Sequence, residues 1–382
     1  MGDRQQPGQL QSRGLTGPGR SMAAVTGSML GHCAIRSVCL TLMLLVCGWA
    51  GAADSDDFDS FEQSIDSLEF DDQPLEEPLG FPDFFKLSFL DLREDLQEAK
   101  EAGKAGIMVY FGQKYCAYCQ KFLEHDLEAE DIQNYLLKHF DVIGLDIHGH
   151  RTVTDMNGNE VLESRLAIQE GTNFTPSVIF YDTDGRETLR LRGYYPPYRF
   201  LAALEYVADD HYLNERFREY LARADVPLVF EPGDMIEEPF FMPGPYMLDR
   251  SRWPADRPLA VFFEQGNCHA CDVLHSGPLS DPEIRDRVGR LESVQLSFWE
   301  PTPVVTPTGE RTTVREWGSQ LGLFYTPTII FFDEDGREII RVDSVVQFYR
   351  LRNVLDYILS GGYRKHETFQ RWRQSQRPRI YK

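Results

Sequence analysis

Short apolar runs recur along this chain and alternate with helical patterns. Residues 107–111 (IMVYF) form a strand-like run, and residues 259–263 (LAVFF) form a similar run much later in the chain. A second run follows each of them, at 141–145 and at 291–296, and a third begins beside a Thr-Pro pair in both halves. Apolar runs of this length are typical of buried strands. The pattern therefore predicts two copies of one unit.

The two copies stay in step after the third run. The sequence DTDGRE at 182–187 and the sequence DEDGRE at 333–338 each begin six positions after the proline of their Thr-Pro pair. An Asp-Gly pair between two β-rich runs is a strong hairpin signal, because Gly accepts a positive φ at little cost. Helical patterns follow at 198–208 and at 349–359. This alternation of strands and helices predicts an α/β fold, with a sheet covered by helices in each copy.

The cysteines are placed unevenly along the chain. Of the seven, Cys33, Cys39 and Cys47 fall near the N-terminus, and the other four form two C-x-x-C pairs just after the first strand of each copy. Thiol–disulfide exchange needs a thiolate that attacks and a second thiol close to it, and this spacing at a helix start supplies both. The positive end of the helix dipole lowers the pKa of a thiol at the first position.

These positions assign a role to each of the four cysteines. Cys116 and Cys268 are the predicted nucleophiles, and Cys119 and Cys271 are the predicted resolving cysteines. A structural disulfide remains as an alternative, but a bridge across two intervening residues constrains the unfolded chain very little. A zinc site is also considered, but it would need four ligands, and the two pairs lie in separate predicted domains.

The residues inside the two pairs differ. His269 directly follows Cys268, where its positive charge would favour the thiolate, whereas Tyr118 in the first pair offers only a ring and a hydroxyl. We treat both as modulating residues. On this argument we expect the second site to be the more oxidising of the two.

A C-x-x-C pair that opens a helix, with an X-Pro pair entering a later strand, resembles the thioredoxin fold in both halves. The resemblance covers roughly residues 86–210 and 235–362. Four motifs make the first copy similar to the periplasmic SoxW-type thioredoxins: YCAYC at 115–119, LDI at 145–147, GYYPP at 193–197 and FLAAL at 200–204. The resemblance implies two tandem thioredoxin-like domains, each with a central mixed β-sheet flanked by helices.

The resemblance also implies a substrate-binding loop in each copy. Thioredoxin-like folds place a cis-proline beside the disulfide, and the backbone before it pairs with an extended substrate. This role falls on Thr175 and Pro176 in the first copy and on Thr326 and Pro327 in the second. Proline is the residue that a cis peptide bond requires in practice.

One feature departs from the family pattern. Thioredoxins proper carry a buried Asp six positions before the first cysteine, and this chain has Tyr110 and Phe262 there. Both copies therefore lack, at this position, the carboxylate that helps move the proton of the resolving cysteine in thioredoxins proper. Gln113 and Glu264 lie nearby and are either partial substitutes or surface residues.

The N-terminal region carries the pattern of an export signal. The apolar run at 38–46 is too short to span a bilayer, and the small residues at 50–53 after it match a cleavable secretory signal. We expect cleavage after Ala52 or Ala53, export to the periplasm and no stable membrane span afterwards. A lipoprotein anchor at Cys47 is disfavoured, because bulky residues precede it where small ones are usual.

The formal charge of −21 is concentrated after this signal. Residues 54–78 hold eleven Asp or Glu and no Lys or Arg. Like charges at this density repel, so the segment is expected to be a disordered tether. Its spaced apolar residues, among them Leu68 and Phe70, leave a partner-docking segment as the alternative. The net acidity argues against a nucleic-acid partner, because phosphate binding needs clustered Lys and Arg.

The basic C-terminal tail is predicted to form an amphipathic helix that packs back on the acidic body, with contact to anionic lipid or an acidic partner as the alternative. The whole chain then divides as follows: a leader and signal peptide at 1–53, an acidic tether at 54–85, thioredoxin-like domain 1 at 86–212, a connecting helix and linker at 213–234, thioredoxin-like domain 2 at 235–362, and a basic tail at 363–382.

Two smaller motifs invite other hypotheses. His148 and His150 lie beside Asp146 and suggest a metal site, but no pattern supplies a third ligand, so we interpret them as loop histidines. Asn173 fits a glycosylation pattern that matters only in a eukaryotic secretory route. We therefore expect no metal and no cofactor other than the redox-active disulfides.

The sequence thus favours an exported thiol:disulfide oxidoreductase that exchanges dithiols and disulfides with protein substrates. The SoxW-type resemblance implies a reductase that receives electrons through a membrane thiol carrier. A disulfide oxidase or isomerase is the second hypothesis. A non-enzymatic scaffold with redox-sensitive cysteine pairs is the third, and the reduction potential that would separate the first two is not readable from sequence.

Overall fold

The computed structural model describes residues 68–224 and 235–376. The described residues of both copies belong to one compact unit. The leader, the expected cleavage site and Cys47 lie outside the described residues, as does the tether from 54 to 67. Within the described part of the chain, no helix is both long enough and apolar enough to cross a bilayer.

The first copy alternates strands and helices as the apolar pattern predicts. Its elements are, in chain order, α1 (Leu92–Glu101), β1 (Gly106–Gly112), α2 (Ala117–Lys121), a π-helical continuation (Phe122–Asp126), α3 (Glu130–His139), β2 (Phe140–Asp146), β3 (Thr152–Thr154), β4 (Glu160–Leu162), α4 (Glu163–Gln169), β5 (Ser177–Asp182), β6 (Glu187–Arg192), α5 (Pro197–Ala208), a 3₁₀ turn (His211–Leu213) and α6 (Phe217–Ala224).

The second copy begins with a short strand where the first has α1, and from residue 259 onward it follows the order of the first copy. Its elements are β7 (Tyr246–Met247), β8 (Leu259–Glu264), α7 (His269–Ser276), a 3₁₀ turn (Pro278–Ser280), α8 (Pro282–Val288), β9 (Glu292–Ser297), β10 (Pro303–Val305), β11 (Arg311–Thr313), α9 (Val314–Gln320), β12 (Thr328–Phe332), β13 (Glu338–Val342), α10 (Phe348–Leu359), a further 3₁₀ turn (Gly362–Arg364) and α11 (Phe369–Gln376).

Each copy builds a four-stranded mixed sheet with the same topology. The strand order is β2-β1-β5-β6 in the first copy and β9-β8-β12-β13 in the second. In these sheets β1 and β2 run parallel, as do β8 and β9, and the remaining pairs are antiparallel. Every residue of β1 and β8 is buried, because helices cover both faces of the central strands. The predicted α/β class with two mixed sheets flanked by helices is confirmed.

The hairpins and closing helices also follow the sequence pattern. The Asp-Gly pairs turn between β5 and β6 and between β12 and β13, and Gly185 and Gly336 adopt φ values of 78° and 81° there. The helices predicted at 198–208 and 349–359 are confirmed as α5 and α10. The short hairpins β3-β4 and β10-β11 were not predicted, since three-residue strands carry too little periodicity.

The prediction of a disordered tether over 54–85 is wrong for residues 68–85, which we call the N-terminal strap. Leu68 and Phe85 of the strap are buried in a core cluster built mainly by the first copy, to which the second copy also contributes. Its backbone is also held, since the Leu79 N–H donates to Lys114 O at 2.7 Å. Burial of the spaced apolar side chains outweighs the repulsion among acids that mostly face solvent. The strap therefore packs within its own chain.

The segments after the two copies pack as helices. Phe217 and Tyr220 of α6 contact Tyr206 of α5, with ring centroids 5.1 and 5.4 Å apart. Residues 225–234 of the linker and 377–382 of the tail lie outside the described residues. In the tail, α11 buries Phe369 and Trp372 against the second copy. This arrangement is that of the amphipathic helix packed back on the body.

Candidate active sites

In each copy the C-x-x-C pair is a disulfide at the start of a helix. Cys116 is the N-cap of α2, and its Sγ accepts the Cys119 N–H at 3.0 Å. Cys268 is the N-cap of α7, and its Sγ accepts the Cys271 N–H at 3.1 Å. A helix start offers unpaired N–H groups and the positive end of the dipole, so both stabilise negative charge on the first sulfur.

Exposure separates the two members of each pair. Cys116 retains 6% of its accessible surface and Cys268 retains 7%, whereas Cys119 is fully buried and Cys271 retains 4%. The predicted nucleophiles are therefore the outer cysteines, and the predicted resolving cysteines lie deeper in the helices.

The structure brings the Thr-Pro loops to the disulfides. The Thr175–Pro176 and Thr326–Pro327 peptide bonds are both cis. In the first copy, Cys116 Sγ lies 3.2 Å from Thr175 Oγ1 and 3.6 Å from Thr175 O. In the second, Cys268 Sγ lies 3.7 Å from both Thr326 oxygens. The carbonyl before each proline thus faces the outer sulfur.

Gln113 is part of the first site and does not lie on the surface away from it. Its Nε2 donates to Thr175 Oγ1 at 2.8 Å, and its Oε1 lies 3.2 Å from His148 Nε2. His148 Nδ1 in turn lies 2.7 Å from the side-chain amide of Gln374 on α11. A chain of side-chain hydrogen bonds therefore runs from the C-terminal helix to Thr175. Among the described residues, no group of three or more His, Cys, Asp or Glu side chains is arranged to hold a metal ion.

Glu264 is buried, so its interpretation as a surface residue is wrong. It ends β8, and its Oε2 accepts from Gln295 Nε2 at 2.8 Å and faces His275 Nε2 at 3.0 Å. His275 faces Glu238 with its other nitrogen at 3.3 Å. Burial alone lowers the pKa of His275, but the hydrogen bonds to the two glutamates outweigh it and raise that pKa. His275 follows the resolving Cys271 by four positions, one turn further along α7.

The first copy has no carboxyl side chain at the position that corresponds to Glu264. Gly112 occupies the position that Glu264 occupies in the second copy, four residues before the outer cysteine. A Cβ on Gly112 would overlap the Tyr110 hydroxyl, which folds over this glycine. A buried carboxyl occurs instead at Asp126, whose Oδ1 lies 3.3 Å from the Tyr194 hydroxyl. Burial raises the pKa of Asp126 to about 7, although the Tyr194 hydroxyl acts to lower it.

Tyr118 lies buried inside the first C-x-x-C motif and joins three parts of the chain. Its hydroxyl donates to Asp72 Oδ2 of the N-terminal strap at 2.9 Å and accepts the Gln347 N–H of the second copy at 2.7 Å. Burial raises the pKa of Tyr118 well above its ordinary value, so the phenol is a neutral donor to Asp72. His269, in contrast, is exposed at the start of α7. The modulating role assigned to each residue stays a prediction.

Two residues that the sequence did not single out complete the first site. Arg350 of α10 crosses from the second copy, and its Nη2 donates to Thr175 O at 2.7 Å. Its guanidinium lies over the Tyr118 ring, 3.2 Å from the centroid. Asp72 accepts the Tyr349 and Arg350 N–H groups at 2.8 and 2.7 Å and so caps α10 from another part of the chain. No local sequence signal marks either residue.

The cavities beside the two disulfides differ in polarity. Polar side chains from both copies border the cavity at Cys116, including Gln113, Asn353 and Arg350. The cavity near the second site is bordered by uncharged residues, mostly apolar: Leu68, Ala270, Val273, Leu274, Tyr325, Pro327, Val345 and Val346. The two copies therefore present chemically distinct surroundings to a thiol or disulfide.

Fold and sites together define a protein with two tandem α/β units, each carrying a disulfide at a helix start beside a cis-proline loop. The family model described as "Thioredoxin-like domain" matches residues 92–208 and 254–359, which together exceed half of the chain. The chain belongs to this thioredoxin-like family. A search of curated proteins returned no match. Membership of the SoxW-type group remains an interpretation of the sequence.

Three of the solved structures that match this chain each cover about a third of it or less. A thioredoxin-fold protein from Helicobacter pylori is 27% identical over 31% of this chain and 78% of its own, with a TM-score of 0.26. A thioredoxin from Thermus thermophilus is 26% identical over 31% of this chain and 83% of its own, with a TM-score of 0.26. The C-terminal domain of Neisseria meningitidis DsbD is 17% identical over 28% of this chain and 84% of its own, with a TM-score of 0.22.

Proposed function

We propose that this protein is an exported thiol:disulfide oxidoreductase that acts as a reductase of protein disulfides in the periplasm. The observation that carries the proposal is the shared geometry of the two sites. In each, the outer sulfur accepts an N–H at the start of a helix and faces the carbonyl before a cis-proline. The proposed substrates are protein disulfides, and the proposed reaction uses the Cys116–Cys119 and Cys268–Cys271 disulfides as its redox groups.

The chemistry follows from the positions of the cysteines. In the reduced protein, the Cys116 thiolate attacks one sulfur of a substrate disulfide, which breaks the substrate bond and forms a mixed disulfide. The leaving thiolate takes up a proton. Cys119 then attacks Cys116 Sγ, which releases the second substrate thiol and leaves the Cys116–Cys119 disulfide. Two electrons pass from the protein to the substrate, and Cys268 with Cys271 performs the same sequence in the second copy.

The direction and place of the reaction rest on sequence features. The apolar run at 38–46 with the small residues after it supports export, and the SoxW-type resemblance supports reduction. A reductase must be reduced again outside the cytoplasm, so we propose a membrane thiol carrier as its electron donor. A glutathione titration of the full chain tests the direction, because about −270 mV suits a reductase and about −120 mV suits an oxidant.

Turnover of insulin and of a small disulfide tests the activity itself. We expect Cys116→Ser and Cys268→Ser each to abolish exchange at its own site, and the double variant to fall to the uncatalysed rate, because each removes the attacking sulfur. Cys119→Ser and Cys271→Ser serve as matched variants, which should instead accumulate mixed disulfides with substrate. Equal, near-background turnover by the wild type and all four variants would exclude the enzyme and favour the scaffold.

A further inference from the structure

The backbone group that should receive a substrate at the first site is already occupied. In the thioredoxin-like arrangement an extended substrate pairs with the backbone before the cis-proline, which in this copy is Thr175. The Thr175 carbonyl oxygen lies 3.6 Å from Cys116 Sγ and accepts a hydrogen bond of 2.7 Å from Arg350 Nη2. A side chain of the second copy therefore takes the position of a substrate N–H.

Arg350 is held in this position from several sides. Its guanidinium lies over Tyr118 at 3.2 Å and over Phe174 at 5.2 Å from the ring centroids. Its backbone N–H and that of Tyr349 are bound by the buried carboxylate of Asp72. The side chain is thus placed by packing, by a helix and by the N-terminal strap, and it is not a mobile surface arginine.

The second copy offers an internal comparison. Arg199 occupies the position in the first copy that Arg350 occupies in the second, two residues after the first residue of the closing helix. The guanidinium of Arg199 lies over the neighbouring Tyr198 ring, 5.4 Å from its centroid. The cavity bordered by Tyr325 and Pro327 near the second site has no charged lining residue within the described chain. Arg350 thus borders the cavity at Cys116, whereas the described lining of the cavity at Pro327 is uncharged.

We propose that Arg350 is a specificity-determining residue of the first site. By occupying the Thr175 carbonyl, it disfavours extended polypeptide disulfides at Cys116 and leaves this site to small-molecule disulfides, which need no backbone pairing. The inference rests on the proposed exchange activity: protein disulfides remain the proposed substrates of the second site, and small disulfides become those of the first. The reaction is balanced: the reduced pair loses two electrons and two protons and becomes a disulfide, and the small disulfide takes up those two electrons and two protons to give two thiols.

The experiment isolates the first site in the full chain. A Cys268→Ser, Cys271→Ser background leaves Cys116 and Cys119 as the reactive pair of the two copies. The reduced protein is mixed with 2-hydroxyethyl disulfide as the small probe and with insulin as the polypeptide probe. We expect Arg350→Ala to raise the ratio of the insulin rate to the small-disulfide rate about tenfold, the factor expected for one charge-assisted hydrogen bond.

Further variants keep the test decisive if Arg350→Ala does not fold. Arg350→Lys keeps the positive charge but loses the planar guanidinium group. Asp72→Asn keeps the shape of the group that caps α10 but loses its charge. Each should raise the same ratio by a smaller factor. Arg199→Ala is the matched control, and it should leave the ratio at the wild-type value. If Arg350→Ala does not fold, the ratio in the other two variants decides the outcome.

Two contrary results are distinguishable. An unchanged ratio in every folded Arg350 and Asp72 variant, with both probes still reduced, overturns the role of Arg350 and leaves the proposed function intact. A background chain that reduces neither probe, with or without Arg350, contradicts the proposed exchange activity of the first site itself.

Discussion

Asp126 lies buried under Tyr194, in the helical segment that follows the resolving Cys119. Burial raises its pKa to about 7 from an ordinary value of 3.8. Between these values the folded protein binds more protons than the unfolded chain, so the free energy of unfolding contributed by this group falls as the pH rises. The loss is complete once the pH exceeds the folded pKa.

Asp126→Asn should therefore stabilise the protein over the wild type more at pH 8 than at pH 4. The amide keeps an acceptor for Tyr194 and avoids the cost of ionising a buried carboxyl, which is on the order of 4 kcal/mol at most. Urea denaturation at pH 4, 6 and 8 measures the change, with the exposed Asp131→Asn on α3 as control. A difference between Asp126→Asn and the wild type that is constant across this pH range would contradict the assignment.

At the scale of elements, the N-terminal strap supplies the capping side chain that α10 lacks at its own N-terminus. Gln347, the N-cap residue of α10, makes no side-chain capping bond. Asp72 accepts the N–H groups of Tyr349 and Arg350 in its place, and its negative charge lies at the positive end of the helix dipole. The strap is further tied to α10 by a hydrogen bond from Gln347 Nε2 to Leu68 O. The acidic segment thus contributes a structural cap to the second copy.

Asp72→Ala should lower the free energy of unfolding by about 1–2 kcal/mol, the usual cost of losing a helix cap. It should also speed hydrogen exchange at the Tyr349 and Arg350 amides, which lose their acceptor. The neighbouring Asp71→Ala is the matched control, because Asp71 is exposed and, among the described residues, its side chain bonds to Gln73 of the strap. Similar effects of the two substitutions on stability and on those amides would show that Asp72 is not a cap.

At the scale of the whole molecule, the two copies share an interface and part of a core. Val345 N–H donates to Tyr194 O at 3.0 Å, and Gly193 approaches Ser344 so closely that a Cβ there would overlap its hydroxyl. Tyr195 packs against Tyr325, with ring centroids 5.4 Å apart. Buried contacts of this kind couple the stability of the two copies.

The full chain should accordingly unfold in one transition, and Tyr195→Ala should separate the copies at a cost of about 3 kcal/mol. The described tryptophans, Trp253, Trp299, Trp317 and Trp372, all lie after the linker, so their fluorescence reports the second copy while circular dichroism reports both. We expect the two urea curves to coincide in the wild type and to diverge in Tyr195→Ala.

The control for this interface is Tyr135→Ala. Tyr135 is a partly buried tyrosine of α3 that stacks on His139 within the first copy. Its loss should shift both curves together, since it leaves the contact between the copies intact. Curves that already diverge in the wild type, or that coincide in Tyr195→Ala, would mean that the copies are not coupled through Tyr195.

Local patterns in the sequence determined the two-copy organisation, the central strands and hairpins, and the position of each cysteine pair at a helix start. These features are readable because they depend on neighbours: period, turn residues and a spacing of three are set within a few positions. The tertiary structure decided what surrounds each pair. Arg350 on Thr175, Asp72 on α10 and the burial of Glu264 against His275 join residues that no shared local pattern connects. The strap shows why: the charge of this segment predicted disorder, and only the fold provided apolar surfaces against which Leu68 and Phe85 are buried.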